Sequence, residues 1–274
     1  MISLTTDFGV ADGYVGIVKG VILSIAPAVR LVDLSHQVPP QDVRRAAFLL
    51  DAAAPFFPPD TVHLAVVDPG VGTARRAVVL RTPQGLFVGP DNGLFTCVLA
   101  EVLEWEMVEL ANPAYRLPQL GATFHGRDLF APAAAHLASG VPLAAFGPPV
   151  SEPCRFSLPC LQVEADRVLG EVLYADHFGN LITSVGRLHW QGDDLALSPA
   201  FRPAGETRRI AVDALRLQCA GHVIQRVCRT YGEVGIGDLL ALVGSMGFLE
   251  IAVRQGSAEQ TLGVRPGERV EIEL

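Results

Sequence analysis

The sequence is nearly without lysine. Lys19 is the only one in 274 residues, and arginine supplies the rest of the side-chain cations. With 21 basic against 29 acidic residues the formal net charge is −8, and no block of Lys and Arg gathers anywhere. Nucleic-acid backbones are bound by clustered cations, so no nucleic-acid partner is expected. An all-but-arginine chain instead suits bidentate contacts to carboxylates. Cysteine is sparse: Cys97, Cys154, Cys160, Cys219 and Cys228 are odd in number and lack CxxC spacing. They indicate neither a disulfide framework nor a zinc site, and fit a reducing compartment. No apolar run approaches the ~20 residues of a membrane span, so no membrane partner is expected. The opening MISLTTDFG lacks the charged and apolar regions of a signal peptide, which makes the cytoplasm the expected location. Also missing are a Walker-type phosphate loop, a GxSxG nucleophile elbow, HExxH, and a GxGxxG opening a helix.

What is present is apolar and periodic. Half the residues are hydrophobic, enough for a sizeable core. Met1 to Thr5 reads as a strand running into Thr6-Asp7-Phe8-Gly9, with a helix from Asp12 or Gly13 to Ala26 and a strand over Val29 to Leu34. Val43, Ala46, Ala47 and Leu50 fall on one face of a second helix. A strand from His63 to Val67, a hairpin over residues 77–88, a helix from Gly93 through Leu103 and a strand over Trp105 to Leu110 follow. An alanine-rich helix to Ala138 is then expected, with Asp128 as its N-cap. The alternation predicts a mostly parallel, doubly wound sheet over residues 1–150. After a proline-rich linker at 151–162, short β-runs separated by Gly-rich turns predict an antiparallel β-barrel over 163–274, without a convincing helix.

The stretch Val66-Val67-Asp68-Pro69-Gly70-Val71-Gly72-Thr73-Ala74-Arg75-Arg76 ends a buried strand in a carboxylate. Carboxyl edges of open α/β sheets bind ligands, though Asp-Pro-Gly is equally ordinary turn chemistry. Asp7 and Asp33 also lie at strand ends, a set of three acids that suggests Mg²⁺ only weakly without a phosphate loop beside it. His125, between Phe124 and Gly126, reads either as a hydrogen-bonded structural residue or as an imidazole facing a pocket. With Asp68 and an arginine it would form a set able to orient and deprotonate a water. Asp176-His177-Phe178-Gly179-Asn180 could hold an amine, stack on a base and read its edge, or simply be a β-turn. Gly244-Ser245-Met246-Gly247 offers amides and a hydroxyl to an anion, or is a plain hairpin turn.

Together the strings TTDFG (5–9), HQVPPQDVRRAAFLL (36–50), VVDPGVGTARR (66–76), VGPDNGLFT (88–96), TFHGRDLFAPAAA (123–135), DHFGNLITS (176–184) and GSMGFLEIAV (244–253) resemble the S-adenosyl-L-methionine (SAM) hydroxide adenosyltransferases, relatives of the SAM-dependent fluorinase and chlorinase. They span almost the whole chain in one order. The resemblance implies a Rossmann-like N-terminal α/β domain, a C-terminal β-barrel, and hydrolysis of SAM at ribose C5′ to adenosine and L-methionine. SAM would be the substrate, and neither a cofactor nor a metal is implied.

It further implies an Asp68–Arg75–His125 triad acting on water, with Arg76 the adjacent rival for the cation. Asp7 matches the ribose-binding acid, and Phe8 lies beside it. Asp176 matches a contact to the methionine amine, Phe178 and Asn180 match adenine contacts, and Ser245 a contact to the methionine carboxylate. Met246 stands where the halogenating relatives carry an arginine. A homotrimer with sites shared between subunits is implied as well. The fluorinating enzyme carries tyrosine, threonine and serine where this chain has Asp68, Val71 and Gly126, and an ionised Asp68 would repel a halide. That disfavours halogenation, the alternative reading beside a non-catalytic SAM or adenosine sensor.

Overall fold

A computed structural model describes residues 1–203 and 206–274. Its first unit, Met1–Phe156, is built on six strands: β1 (Ile2–Thr6), β2 (Leu31–Ser35), β3 (Val62–Val66), β4 (Ala77–Thr82), β5 (Gly85–Pro90) and β6 (Glu106–Glu109). Their order is β2-β1-β3-β5-β4-β6. The first four in that order pair in parallel, while β4 runs antiparallel to both its neighbours. The sheet is therefore mixed, with β4 running against the rest in the hairpin expected over residues 77–88. The cause is local: a turn at Pro83-Gln84 is too short for a crossover, so β4 and β5 must form a hairpin.

Helices cover both faces of this sheet. On one side α1 (Tyr14–Ile25) and α4 (Ala131–Ala138) bury Val18, Ile22 and Ala133–Ala135 against Ile2, Leu4 and Leu64. On the other, α2 (Val43–Ala53) and α3 (Thr96–Glu101) bury Ala46, Leu50, Val98 and Leu99 against Ala65, Val67 and Leu80. The Asp42 side chain caps α2 by accepting the Arg45 N–H at 2.9 Å. The helix expected from Gly93 to Leu103 shrinks to Thr96–Glu101. Asn92 is spent in a turn, its Nδ2 donating to the Val67 carbonyl and its Oδ1 accepting the Leu94 N–H, and Val102 is already extended.

Asp128 is not an N-cap. It lies inside a single π-helical turn, Gly126–Phe130, that leads into α4, and its buried carboxylate pairs with Arg127 and accepts the Gly121 N–H at 2.8 Å. Burial alone would raise its pKa, but Arg127 and that amide hold it below the usual carboxylate value.

The second unit, Ser157–Leu274, holds strands β7 (Leu161–Val163), β8 (Arg167–Ala175), β9 (Leu181–Gln191), β10 (Asp194–Ser198), β11 (Arg208–Ile210), β12 (Arg216–Cys219), β13 (His222–Ile224), β14 (Val227–Cys228), β15 (Leu239–Val243), β16 (Phe248–Val253) and β17 (Arg269–Glu273). They form one nearly closed, barrel-like sheet, antiparallel except for the β14–β15 pair. A helix does intervene, contrary to expectation: α5 (Ala258–Leu262), capped by Ser257 and closed by Gly263 at φ 63°. Its five residues are too few to show helical periodicity, although Ser and Gly mark both ends. Among the described residues no helix is long and apolar enough to cross a membrane.

His63 is the one buried base in the β1–β3 interior. Its Nδ1 lies 2.7 Å from the Ser3 hydroxyl, its ring stacks on Phe87, and burial pushes its pKa down from 6.5 to about 4. The unfolded chain therefore takes up a proton that the folded chain refuses. This contribution to stability is complete above pH 6.5 and is lost as pH falls from there toward 4, by about 3 kcal/mol in all. Urea titrations of wild type and His63→Phe at pH 7 and pH 4.5 test this: the wild type should lose more stability than the variant by roughly 2–3 kcal/mol.

Candidate functional site

A cavity of about 290 Å³ opens at the carboxyl ends of β1 and β3. Its walls are Asp7 and Phe8 after β1, Val66 at the end of β3 with Asp68, Pro69 and Val71 after it, Gln41 before α2, and the segment 123–126 that enters the π-helical turn. Four segments thus meet at one edge of one sheet, where parallel strands deliver their loops together.

Asp68 and His125 face this cavity, and Arg75 joins them from behind. Arg75 Nε donates to Asp68 Oδ1 at 2.9 Å and to Oδ2 at 3.1 Å, while Nη2 donates to the same Oδ2. Nη2 also lies 2.8 Å from His125 Nδ1. The guanidinium stacks over Phe130 with its carbon 5.2 Å from the ring centre, and both the Asp68 and Arg75 side chains are almost wholly buried. Arg75 is not a cavity wall, so it clamps the other two and does not itself present a surface to a ligand.

This contact decides a tautomer. A guanidinium has five donors and no acceptor, so the imidazole nitrogen against it must be the bare one. His125 is then neutral with its proton on Nε2. Its pKa is lowered from 6.5 in agreement: burial and the Arg75 charge outweigh the opposing pulls of Asp68, Asp128 and the Gly121 backbone.

Two glycines make the arrangement possible. Gly72 has φ 78°, and a Cβ there would sit 2.5 Å from the Ala122 carbonyl oxygen, so the loop bearing Asp68 and Arg75 lies directly on the loop leading to His125. A Cβ on Gly126 would come within 2.9 Å of the Phe8 ring. Phe8, Tyr14 and Phe124 form an edge-to-face cluster beside the cavity, with centroids 5.2–6.0 Å apart.

The other residues singled out in the sequence lie as follows. Arg76 turns away from Asp68 and pairs with buried Asp91, its Nε donating at 2.8 Å. Asp7 accepts the Gln41 N–H at 2.8 Å. Asp33 lies within β2 and not at its end, because the strand runs on to Ser35, and it pairs with Lys19 and His36, so the three acids go to separate partners. Among the described residues no group of three or more His, Cys, Asp or Glu could hold a metal ion.

In the second unit, Asp176 Oδ1 accepts the N–H groups of Phe178 and Asn180 at 2.8 and 2.9 Å, which makes 176–180 a side-chain-closed turn. Asn180 is buried and donates to Asp176 Oδ2, and Phe178 is 74% exposed. Ser245 and Met246 form the exposed tip between β15 and β16. Behind that tip lies buried Glu250, which accepts the Tyr231 hydroxyl and whose pKa is raised by burial first and by Asp176.

Sequence reasoning missed Gln41 as a cavity wall, Thr123 and Phe124 beside His125, and the Tyr231–Glu250 pair. The signals were slight. Gln41 sits at φ 67° between two prolines and a helix cap, and Glu250 is the one charge in the apolar run of β16.

Comparison with known proteins agrees along the whole chain. Residues 2–147 match the N-terminal domain, and residues 170–271 the C-terminal domain, of the SAM hydroxide adenosyltransferases. The chain is 45% identical to an (R)-S-adenosyl-L-methionine hydrolase of Salinispora tropica, across 99% of this chain and 97% of that one. It is 44% identical to an enzyme of the same name from Thermus thermophilus, across 97% of each. A fluorinase of an Actinoplanes species is 30% identical across 99% of this chain and 97% of its own. A crystal structure of a conserved Thermotoga maritima protein superposes with a TM-score of 0.86 at 36% identity, covering both chains completely. With both domains matched in order and full-length relatives above 40% identity, the chain belongs to the SAM hydroxide adenosyltransferase family.

Proposed function

We propose that this protein hydrolyses SAM to adenosine and L-methionine, with Asp68, Arg75 and His125 as its water-handling groups. The observation that carries the reading is the donor chain from one guanidinium to both Asp68 and His125 at the cavity wall. The names of the Salinispora and Thermus relatives support the substrate.

The chemistry follows from which lone pairs remain. Arg75 takes up part of the Asp68 carboxylate, but its oxygens keep lone pairs toward the cavity. His125 has its acceptor nitrogen occupied by Arg75 and only an N–H to offer. In this reading a water donates to Asp68 and accepts from His125, which aims an oxygen lone pair at ribose C5′. The C5′–O bond forms as the C5′–S bond breaks, and its electron pair neutralises the sulfonium to the thioether of methionine. The water proton passes to Asp68 and on to solvent. Alignment of the attacking oxygen with the leaving sulfur supplies much of the rate, because it converts an encounter into an intramolecular step.

Asp7 would hold the ribose hydroxyls beside Phe8, while Asp176, Phe178, Asn180, Ser245 and Met246 would serve adenine and the methionine end, as the resemblance implies. The same reading takes the N-terminal unit as Rossmann-like, the assembly as a homotrimer, and the enzyme as cytoplasmic with no cofactor beyond its substrate.

Purified protein incubated with SAM should release adenosine and methionine in equal amounts; 5′-halo-adenosine formed on adding halide, or no adenosine above the blank, would overturn the reading. Asp68→Asn should lower kcat by about 10²–10⁴-fold, the range of a lost proton acceptor, and leave adenosine affinity within a few-fold by calorimetry.

The pH dependence follows from the lowered His125 pKa. Because burial and the Arg75 cation both oppose protonation of His125, the acid limb of kcat/KM should be centred below pH 6.5, the ordinary imidazole value. The profile measured by adenosine release checks this, and an acid limb centred at or above 6.5 would contradict it.

A further inference from the structure

His36 belongs to none of the roles above, yet it is 6% exposed and tied to the loop that carries Asp7 and Phe8. It stands just past β2, in the string that opens HQVPP. Its Nδ1 lies 2.8 Å from the hydroxyl of Thr6, the last residue of β1. The same hydroxyl oxygen accepts the Phe8 N–H at 3.3 Å. On its other side, His36 Nε2 lies 3.2 Å from Asp33 Oδ1, and Asp33 Oδ2 accepts from Lys19 Nζ at 2.6 Å. The chain's single lysine is thus the outer end of a relay, Lys19–Asp33–His36–Thr6, that finishes at the amide of Phe8.

The protons in this relay have one consistent arrangement for a neutral imidazole. A threonine hydroxyl has one hydrogen. With its oxygen accepting from Phe8, it donates that hydrogen to His36 Nδ1, and the ring proton sits on Nε2, facing the Asp33 carboxylate. The other tautomer would set a bare nitrogen against a carboxylate oxygen. The Nε2–Asp33 approach is poorly aligned for a hydrogen bond and acts as the attraction of the carboxylate for the dipole of the ring N–H. Backbone bonds reinforce the same seam: the Gly9 N–H donates to the His36 carbonyl at 2.8 Å, and the Gln41 N–H donates to Asp7 Oδ2 at 2.8 Å.

We propose that His36 is a positioning residue for the ribose end of the site: it fastens Thr6, and through Thr6 it sets Asp7 and Phe8 in the cavity wall. The inference rests on the reading of that cavity as the SAM site. His36 does not touch the ligand; it removes the freedom of the loop that does. Losing it should weaken substrate and transition state alike, which raises KM and spares kcat.

The test is a double-mutant cycle on His36→Phe and Thr6→Val, read by calorimetry with adenosine and by SAM turnover. Each single variant should weaken adenosine binding and raise KM by about three- to tenfold, the worth of one lost hydrogen bond, with kcat within about twofold. The double variant should be no worse than either single one, because both break the same link. His36→Asn, whose Oδ1 can take the Thr6 hydrogen in place of Nδ1, should recover most of the affinity. Thermal melts identify a variant that fails to fold, and Asp33→Asn then probes the relay from its exposed end, with a smaller loss of the same kind. Wild-type affinity in His36→Phe, fully additive losses in the double variant, or a fall in kcat at unchanged KM would each overturn the proposal. A wild-type protein that binds adenosine but makes none from SAM would refute the hydrolase reading alone, and the cycle on adenosine affinity would still decide the role of His36.

Discussion

The site depends on a guanidinium having donors on every side and an acceptor on none. Arg75 reaches Asp68 with its Nε–Nη2 edge and His125 with the same Nη2, so two residues from separate loops are fixed by a single planar group. The tautomer of the imidazole and the share of the carboxylate left open to the cavity follow from that plane, and burial together with the Arg75 charge depresses the basicity of His125. Phe130 completes it by closing the other face of the guanidinium. Lysine could supply the charge but neither the fork nor the stacking surface.

Around that plane the fold does little more than bring loop ends together. β1 and β3 are buried along their whole length and end at the same edge, so the residues after them emerge side by side. The antiparallel β4 serves this edge directly: the loop carrying Asp68 and Arg75 runs from the end of β3 to the start of β4, while the hairpin of β4 with β5 turns at the opposite end of the sheet. The hairpin expected over residues 77–88 is what makes the sheet mixed, and it also lets one short loop join β3 to β4 across the site.

Much of this could be read from residues alone, for identifiable reasons. Strands and long helices announce themselves by period, and the placing of Asp7 and Asp68 just past buried runs needed only the point where each run stops. Between Arg75 and Arg76 only the resemblance chooses, by its seven-residue step from the acid, since adjacent side chains in a loop differ in direction and not in chemistry; the structure gives Arg75 to Asp68 and Arg76 to Asp91. Asp128 misled because an acid before a helix is usually a cap, whereas here a π-helical turn draws it inside and Arg127 neutralises it. Long-range pairs such as Tyr231 with Glu250 leave no local pattern at all, and the helix at Ala258–Leu262 is shorter than the period that would reveal it.

The close approach of Gly72 to Ala122 has a consequence for how this machinery can move. With no side chain between them, the loop bearing the acid and the loop bearing the imidazole are in contact through backbone, and Asp128 pins the second of them again at Gly121. Neither can swing without carrying the other. A wall built this way works as an anvil and not as a gate: its dipoles are already aimed before any ligand arrives, and little reorganisation is left to be done when charge shifts in the reaction.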